Sequence, residues 1–168
     1  PDAGAQAQAE QLVAELFQDD IEAARTAEAK KALSDRLFDV AHQTDDDPAA
    51  CYVLCRMAQT LAGGLGDPDS FGPVIDELDR RYQIDALALK AEAFTEAWRS
   101  QSAAPYRPAL ASQSLTLLQA AIQAERYAAA EQFLRVAQYG ARAAKDFPLV
   151  RQLEEQARQI DAAQRNGP

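Results

Sequence analysis

Thiols, imidazoles and clustered carboxylates are the groups through which a chain of 168 residues could do chemistry, and here they are few. The only two cysteines, Cys51 and Cys55, stand four residues apart. On a helix that spacing puts both thiols on one face. A disulfide across one turn of regular helix is badly oriented even where the Cα distance permits it. A metal would need His42 or the acids Asp45 to Asp47 as further ligands. That spacing fits no standard zinc pattern, because a second Cys/His pair is missing. The reading is two small core side chains. Redox chemistry or crosslinking, and metal or small-molecule binding in the Cys51/Cys55 region, are the alternatives.

His42 is the only histidine. It falls at the end of an expected helix, where the dipole favours a cationic side chain. General acid-base or nucleophilic catalysis would need a partner in reach, and no such motif accompanies it. The run Asp45-Asp46-Asp47 lacks the alternating ligands, glycine and glutamate of a calcium loop. Acids there suit the N-terminus of a following helix. Gly63-Gly64-Leu65-Gly66 follows a helix rather than a strand and has no Lys-Ser/Thr after it, so it is no phosphate loop. Glu154-Glu155 is a chance pair in an acidic helical chain, not a glycosidase dyad. The expectation is a chain without catalytic residue, cofactor or metal, and so not an enzyme.

Recognition is the remaining chemistry. Tyr52, Arg56, Arg80, Arg81, Tyr82, Trp98, Tyr106 and Arg107 are the types that dominate binding hot spots. Of these, Arg56, Arg80, Arg81, Tyr82, Tyr106 and Arg107 are the candidate interaction surface. Tyr52 and Trp98 also suit core positions.

The elements that must position these residues are helices. Hydrophobic residues make up 48% and aromatics only 7%, so the apolar content leans on Ala and Leu, which favour helix. Apolar periodicity and breakers mark about eight helices. The first spans about 5–18 with Leu12, Val13, Leu16 and Phe17 on one face, and Asp19 to Ile21 begin a short extra turn. The second spans about 27–43 behind the cap Thr26. The third starts at Asp47-Pro48, a cap followed by proline at the first helical position, and ends at Gly63-Gly64. The fourth spans about 70–82, with Pro73 expected in its first turn. Asp85 caps the fifth, about 86–100, and the longest loop, 101–108, follows. The sixth (about 109–124), the seventh (about 127–144) and an eighth opened by Phe147-Pro148 complete the chain. No segment alternates as a strand does. Short connections predict antiparallel neighbours. The fold expected is all-α, about eight antiparallel helices in a stack of hairpins, within one domain over 1–168. A closed helical bundle is the rival. Residues 1–4 and 165–168 are expected to be disordered ends.

Net charge is −9, which argues against nucleic acid and anionic membranes as partners. It is uneven: residues 1–85 carry −11 and residues 86–168 carry +2. A body polarised in this way could assemble with copies of itself or meet a basic partner. No apolar run is long enough to insert in a membrane.

Two resemblances bear on function. From Leu117 to Ala137 the chain resembles a tetratricopeptide (TPR) hairpin. Leu117, Ala121 and Ala124 fall on its first helix and Tyr127 at the turn. Ala130, Leu134 and Ala137 match the small-large-small rhythm of its second helix. Leu118 stands where that family has glycine, and no clean 34-residue period runs along the chain. Asn166 is the only asparagine, which argues against the asparagine-based carboxylate clamp of peptide-binding TPR domains. Second, TDDDPAACYVLCRMA (44–58), IDELDRRYQIDALALKAEA (75–93) and ERYAAA (125–130) resemble the N-terminal helical domain of exported bacterial multidomain proteins. That resemblance implies an exported, periplasmic or cell-surface location and fused modules, and no reaction. Without it, the default location is cytoplasmic. The function expected is a helical protein-protein interaction or spacer module. Its partner is another protein or another module of the same polypeptide. A self-assembling structural domain is the alternative.

Overall fold

The computed structural model describes residues 1–166. The protein is all-α, with no strand among the described residues. The contacts within the chain fall into two compact units, Pro1–Ile84 and Asp85–Pro168.

The first unit holds α1 (Ala3–Leu16), α2 (Gln18–Ala23), α3 (Ala27–Gln43), α4 (Pro48–Leu65) and α5 (Pro68–Arg81). Aspartate and threonine start most of these helices by accepting from backbone N–H groups that have no helical partner. Asp2 accepts from Ala5 at 2.9 Å, Thr26 from Ala29 at 3.1 Å and Asp47 from both Ala49 and Ala50. Pro48 and Pro68 open α4 and α5, where proline loses no hydrogen bond. α4 packs against α1, α3 and α5. Its Cys51, Leu54, Cys55, Ala58 and Ala62 repeat at helical spacing and are buried. A buried Ser34 hydroxyl donates to the Ala58 carbonyl at 2.9 Å and ties α3 to α4.

Three expectations are corrected here. Gly63-Gly64 does not end α4. Both glycines lie inside it, and Gly66 ends it with φ 79°, donating to the Ala62 and Gly63 carbonyls. Only the third glycine occupies the left-handed region that stops the helix. Pro73 is not in the first turn of α5. The helix begins at Pro68, so Pro73 sits in its interior. Finally, α1 does not bury all four of Leu12, Val13, Leu16 and Phe17. Val13 and Phe17 are buried, while Leu12 is 50% and Leu16 69% exposed. The expected extra turn after α1 is a separate helix, α2, and it makes the described helices nine.

The second unit holds α6 (Ala86–Arg99), a 3₁₀ turn (Ala104–Tyr106), α7 (Arg107–Gln123), α8 (Tyr127–Ala143) and α9 (Phe147–Asn166). Asp85 caps α6 through Ala88, as its position before the apolar run implies. α8 packs against α6, α7 and α9. Phe94 and Phe133 meet edge-to-face at 5.7 Å between ring centres, inside a core with Leu110, Leu118, Val136 and Leu153. α7 and α8 approach so closely at Gly140 that a Cβ there would overlap that of Ala111.

The same three-residue turn joins α7 to α8 and α8 to α9. In the first, Glu125 has φ 57°, its N–H donates to Ile122 and the N–H of Arg126 donates to Ala121. In the second, Lys145 has φ 58°, its N–H donates to Arg142 and that of Asp146 to Ala141. Each is a Schellman motif with a non-glycine residue in the left-handed position.

Parts of the ends expected to be disordered are helical. Ala3 and Gly4 belong to α1, and Arg165 to α9. Gly167 and Pro168 lie outside the described residues.

Candidate functional site

The densest cluster of ionisable groups lies in the first unit, where the end of α3, the start of α4 and the end of α5 meet. Its centre is Glu77, whose side chain is only 8% exposed. The spacing Glu77, Arg80, Arg81 places both arginines one helical turn from the carboxylate. Arg80 Nε donates to Glu77 Oε2 at 2.8 Å, and Arg80 Nη2 and Arg81 Nε both donate to Oε1. His42 Nδ1 stands 3.7 Å from the same oxygen. Arg81 reaches on to α3's end, where Nη1 donates to the Thr44 carbonyl at 3.3 Å and pairs with Asp45 at 3.2 Å.

These contacts fix the protonation states. The Arg80 hydrogen bonds hold the Glu77 carboxyl down at about 2, against the opposing effect of burial, and Arg81 adds to the shift. Glu77 in turn raises both arginines. Burial pushes the Cys55 thiol up to about 12, with Cys51 beside it adding to the rise. Burial also raises Tyr82, whose hydroxyl donates to the Pro48 carbonyl at 2.7 Å. The Tyr82 ring meets Tyr52 edge-to-face at 5.2 Å.

A general base needs a pKa near the working pH, and a nucleophilic thiol must ionise there. Glu77 and Cys55 are displaced in opposite directions away from neutrality. Through Arg81 to Thr44 and Asp45, and Tyr82 to Pro48, the cluster ties the end of α5 to the end of α3 and the start of α4. Among the described residues, no group of three or more His, Cys, Asp or Glu is placed to hold a metal ion. Cys51 and Cys55 are both free and buried.

The six candidate surface residues divide accordingly. Arg80 and Arg81 converge on Glu77, and Tyr82 locks to α4. Arg56 donates to Gln59 at 3.0 Å and lines a groove of about 580 Å³ with Tyr52, Met57 and Ile21. Tyr106 and Arg107 lie in the second unit. Arg107 sits 5.6 Å over the ring of Trp98, and both line an apolar groove of about 480 Å³ between α7 and α8. Trp98 stacks on Tyr139 at 6.1 Å with the rings 15° apart. Behind that pair lies a second groove, lined by Arg99, Arg135, Thr95 and Gln132. Trp98 is half-buried rather than a core residue.

Sequence reading missed Glu77, Tyr139 and Arg135. The i, i+3, i+4 spacing of Glu77 with two arginines was the available signal for the first. Nothing local marks Tyr139, because its partner is 41 positions away on another helix. No helix among the described residues is long and apolar enough to cross a membrane. No protein-family model, curated protein or solved structure matches the chain.

Proposed function

We propose that this chain is a non-enzymatic helical interaction or spacer module, built as TPR-like hairpins and serving as one part of a larger exported protein. The observation that carries the proposal is the fate of the ionisable groups that meet. Glu77, Arg80 and Arg81 consume one another, and the buried thiol of Cys55 is driven far from ionisation. By contrast, Trp98, Tyr139 and several arginines stand on shallow grooves. The hairpin reading draws support from the two identical turns flanking α8 and from buried Ala130 and Ala137. Small residues of this kind let neighbouring helices approach closely.

The test is photo-cross-linking in the native host, with a photoreactive residue placed at Tyr139 or, separately, at Tyr52. Adducts to one defined protein, or to another module of the same polypeptide, are the expected result. The opposing result comes from zinc titration of the reduced protein. Stoichiometric, tight uptake that is lost in Cys51→Ser would make this a metal-binding protein instead.

A further inference from the structure

Two surface features of this chain are complementary, and each is incomplete alone. One is the groove of about 480 Å³ between α6 and α8. Its aromatic wall is the stacked Trp98–Tyr139 pair, with Tyr139 48% exposed. Its charge comes from Arg99 and Arg135, and no acidic side chain lines it. Five arginines pair with carboxylates among the described residues, Arg36 with Asp20, Arg80 and Arg81 with Glu77, Arg126 with Asp85 and Arg158 with Glu155, while others, such as Arg25 and Arg151, do not. Among the described residues, Arg99 and Arg135 have no carboxylate within ion-pair distance. Within the groove the Thr95 hydroxyl is spent on the Ala91 carbonyl at 2.8 Å. The arginines and the Gln132 amide supply its donors.

The other feature is the outer stripe of α1. Leu12 and Leu16 lie one turn apart and are 50% and 69% exposed. Glu15 stands between them in sequence, and Asp19 follows in the first turn of α2, so the apolar pair has acidic residues beside it in sequence. Asp19 is exposed and pairs with no cation among the described residues. Leu12 and Leu16 are two of the five large apolar side chains that stand exposed among the described residues.

Resting on the reading of this chain as an interaction module, the geometry points to a second copy of the chain as the occupant. The α1 stripe of one copy docks in the α6–α8 groove of the next. Leu12 and Leu16 cover the Trp98–Tyr139 wall, and Glu15 and Asp19 meet Arg99 and Arg135. Aromatic and arginine side chains are what such contacts are built from, and the charges set register and orientation. The two surfaces differ, so the contact is heterologous. It continues from copy to copy unless a rotation closes it into a ring. Its charges run in the same sense as the polarity of the chain, acidic in residues 1–85 and basic in residues 86–168.

Sedimentation velocity tests it, using full-length chains over a wide concentration range at low and high salt. Arg99→Glu/Arg135→Glu spoils the groove and leaves the stripe. Leu12→Ser/Leu16→Ser spoils the stripe and leaves the groove. All four positions are exposed, and far-UV circular dichroism verifies that both variants fold. The wild type is expected to grow with concentration, with association weakened at least tenfold by high salt. Each variant alone is expected to stay monomeric. Mixed one to one, they should form a heterodimer and stop there, because each keeps one live surface. A wild type that remains monomeric at low salt overturns the proposal, as does association that survives both double substitutions. A monomer that still cross-links through position 139 to another protein would overturn the second-copy contact and leave the interaction-module reading standing.

Discussion

Replacing Glu77 with glutamine should cost the protein stability at neutral pH and nothing at very low pH. A carboxyl held at about 2 instead of its ordinary 4.5 corresponds to roughly 3 kcal/mol of linked stability. Part of that comes through Arg80, which is 64% exposed and screened by solvent, so about 2 kcal/mol is the sounder figure. The sign follows from the direction of the shift. Because the folded state holds the carboxyl below its unfolded value, the stabilisation is complete above about pH 4.5. It is then lost as pH falls towards 2. Glutamine keeps the volume but turns an N–H donor towards two guanidinium groups and removes the titration. Urea unfolding followed by far-UV circular dichroism at pH 7, 4.5, 3 and 2 measures both effects. Glu77→Gln should be less stable by about 2 kcal/mol at pH 7 and converge on the wild type near pH 2. A difference that is absent at pH 7, or that stays constant down to pH 2, would refute the assignment of Glu77 as the charged centre that Arg80 and Arg81 hold ionised.

Gly140→Ala should destabilise the second unit by about 1–3 kcal/mol through overpacking against Ala111, despite the better helix propensity of alanine. Ala111→Gly in the same chain should recover most of that loss, read by unfolding of the single tryptophan, Trp98, and non-additivity would establish the contact. Gly63→Ala should stabilise α4 by roughly 0.5–1 kcal/mol, because the residue is helical with open space around it, whereas Gly66→Ala at φ 79° should destabilise by about 1 kcal/mol. Thermal denaturation separates the two, and equal effects would return the helix end to Gly63-Gly64. Cys51 and Cys55 should resist a disulfide-exchange reagent in the folded protein at pH 8 and react fully in guanidinium, since both are buried and the Cys55 thiol is held near 12. Rapid labelling of the folded chain would contradict that.

Much of this fold was legible because its signals are local. The caps Thr26, Asp47 and Asp85 and the openings Pro48 and Phe147-Pro148 act on backbone groups two or three residues away, so sequence position is enough to read them. The readings that failed needed tertiary information. Three glycines in four residues left the stop of α4 open, and only the backbone angle of Gly66 decides it. The interior place of Pro73 follows from α5 starting earlier, at Asp67-Pro68, than the apolar pattern implies. Leu12 and Leu16 look like core in a helical stripe, yet the side of α1 facing α4 is narrower than the apolar pattern. At the site, residue types and the spacing of Glu77 with its arginines were legible, and the reach of Arg81 to Thr44 and Asp45 was not. Arg80 and Arg81 read as recognition residues because both are arginines. Their pairing with Glu77 runs within α5, at spacings of three and four residues.

The paired turns on either side of α8 bear on how the chain acquires its structure in time. Each closes through hydrogen bonds spanning five residues or fewer, Arg126 to Ala121 and Asp146 to Ala141. Neither waits for a distant segment to arrive, so little loop entropy is spent before the contact forms. The sequence from α7 to α9 should therefore condense early, as a corner-by-corner zipper. The first unit, whose Lys31 reaches Ser70 and Arg36 reaches Asp20, must close longer loops. In pulse-labelled hydrogen exchange during refolding, the amides of Arg126 and Asp146 should gain protection before the first unit's amides do. The reverse order would mean that packing along α4, not the turns, starts the folding.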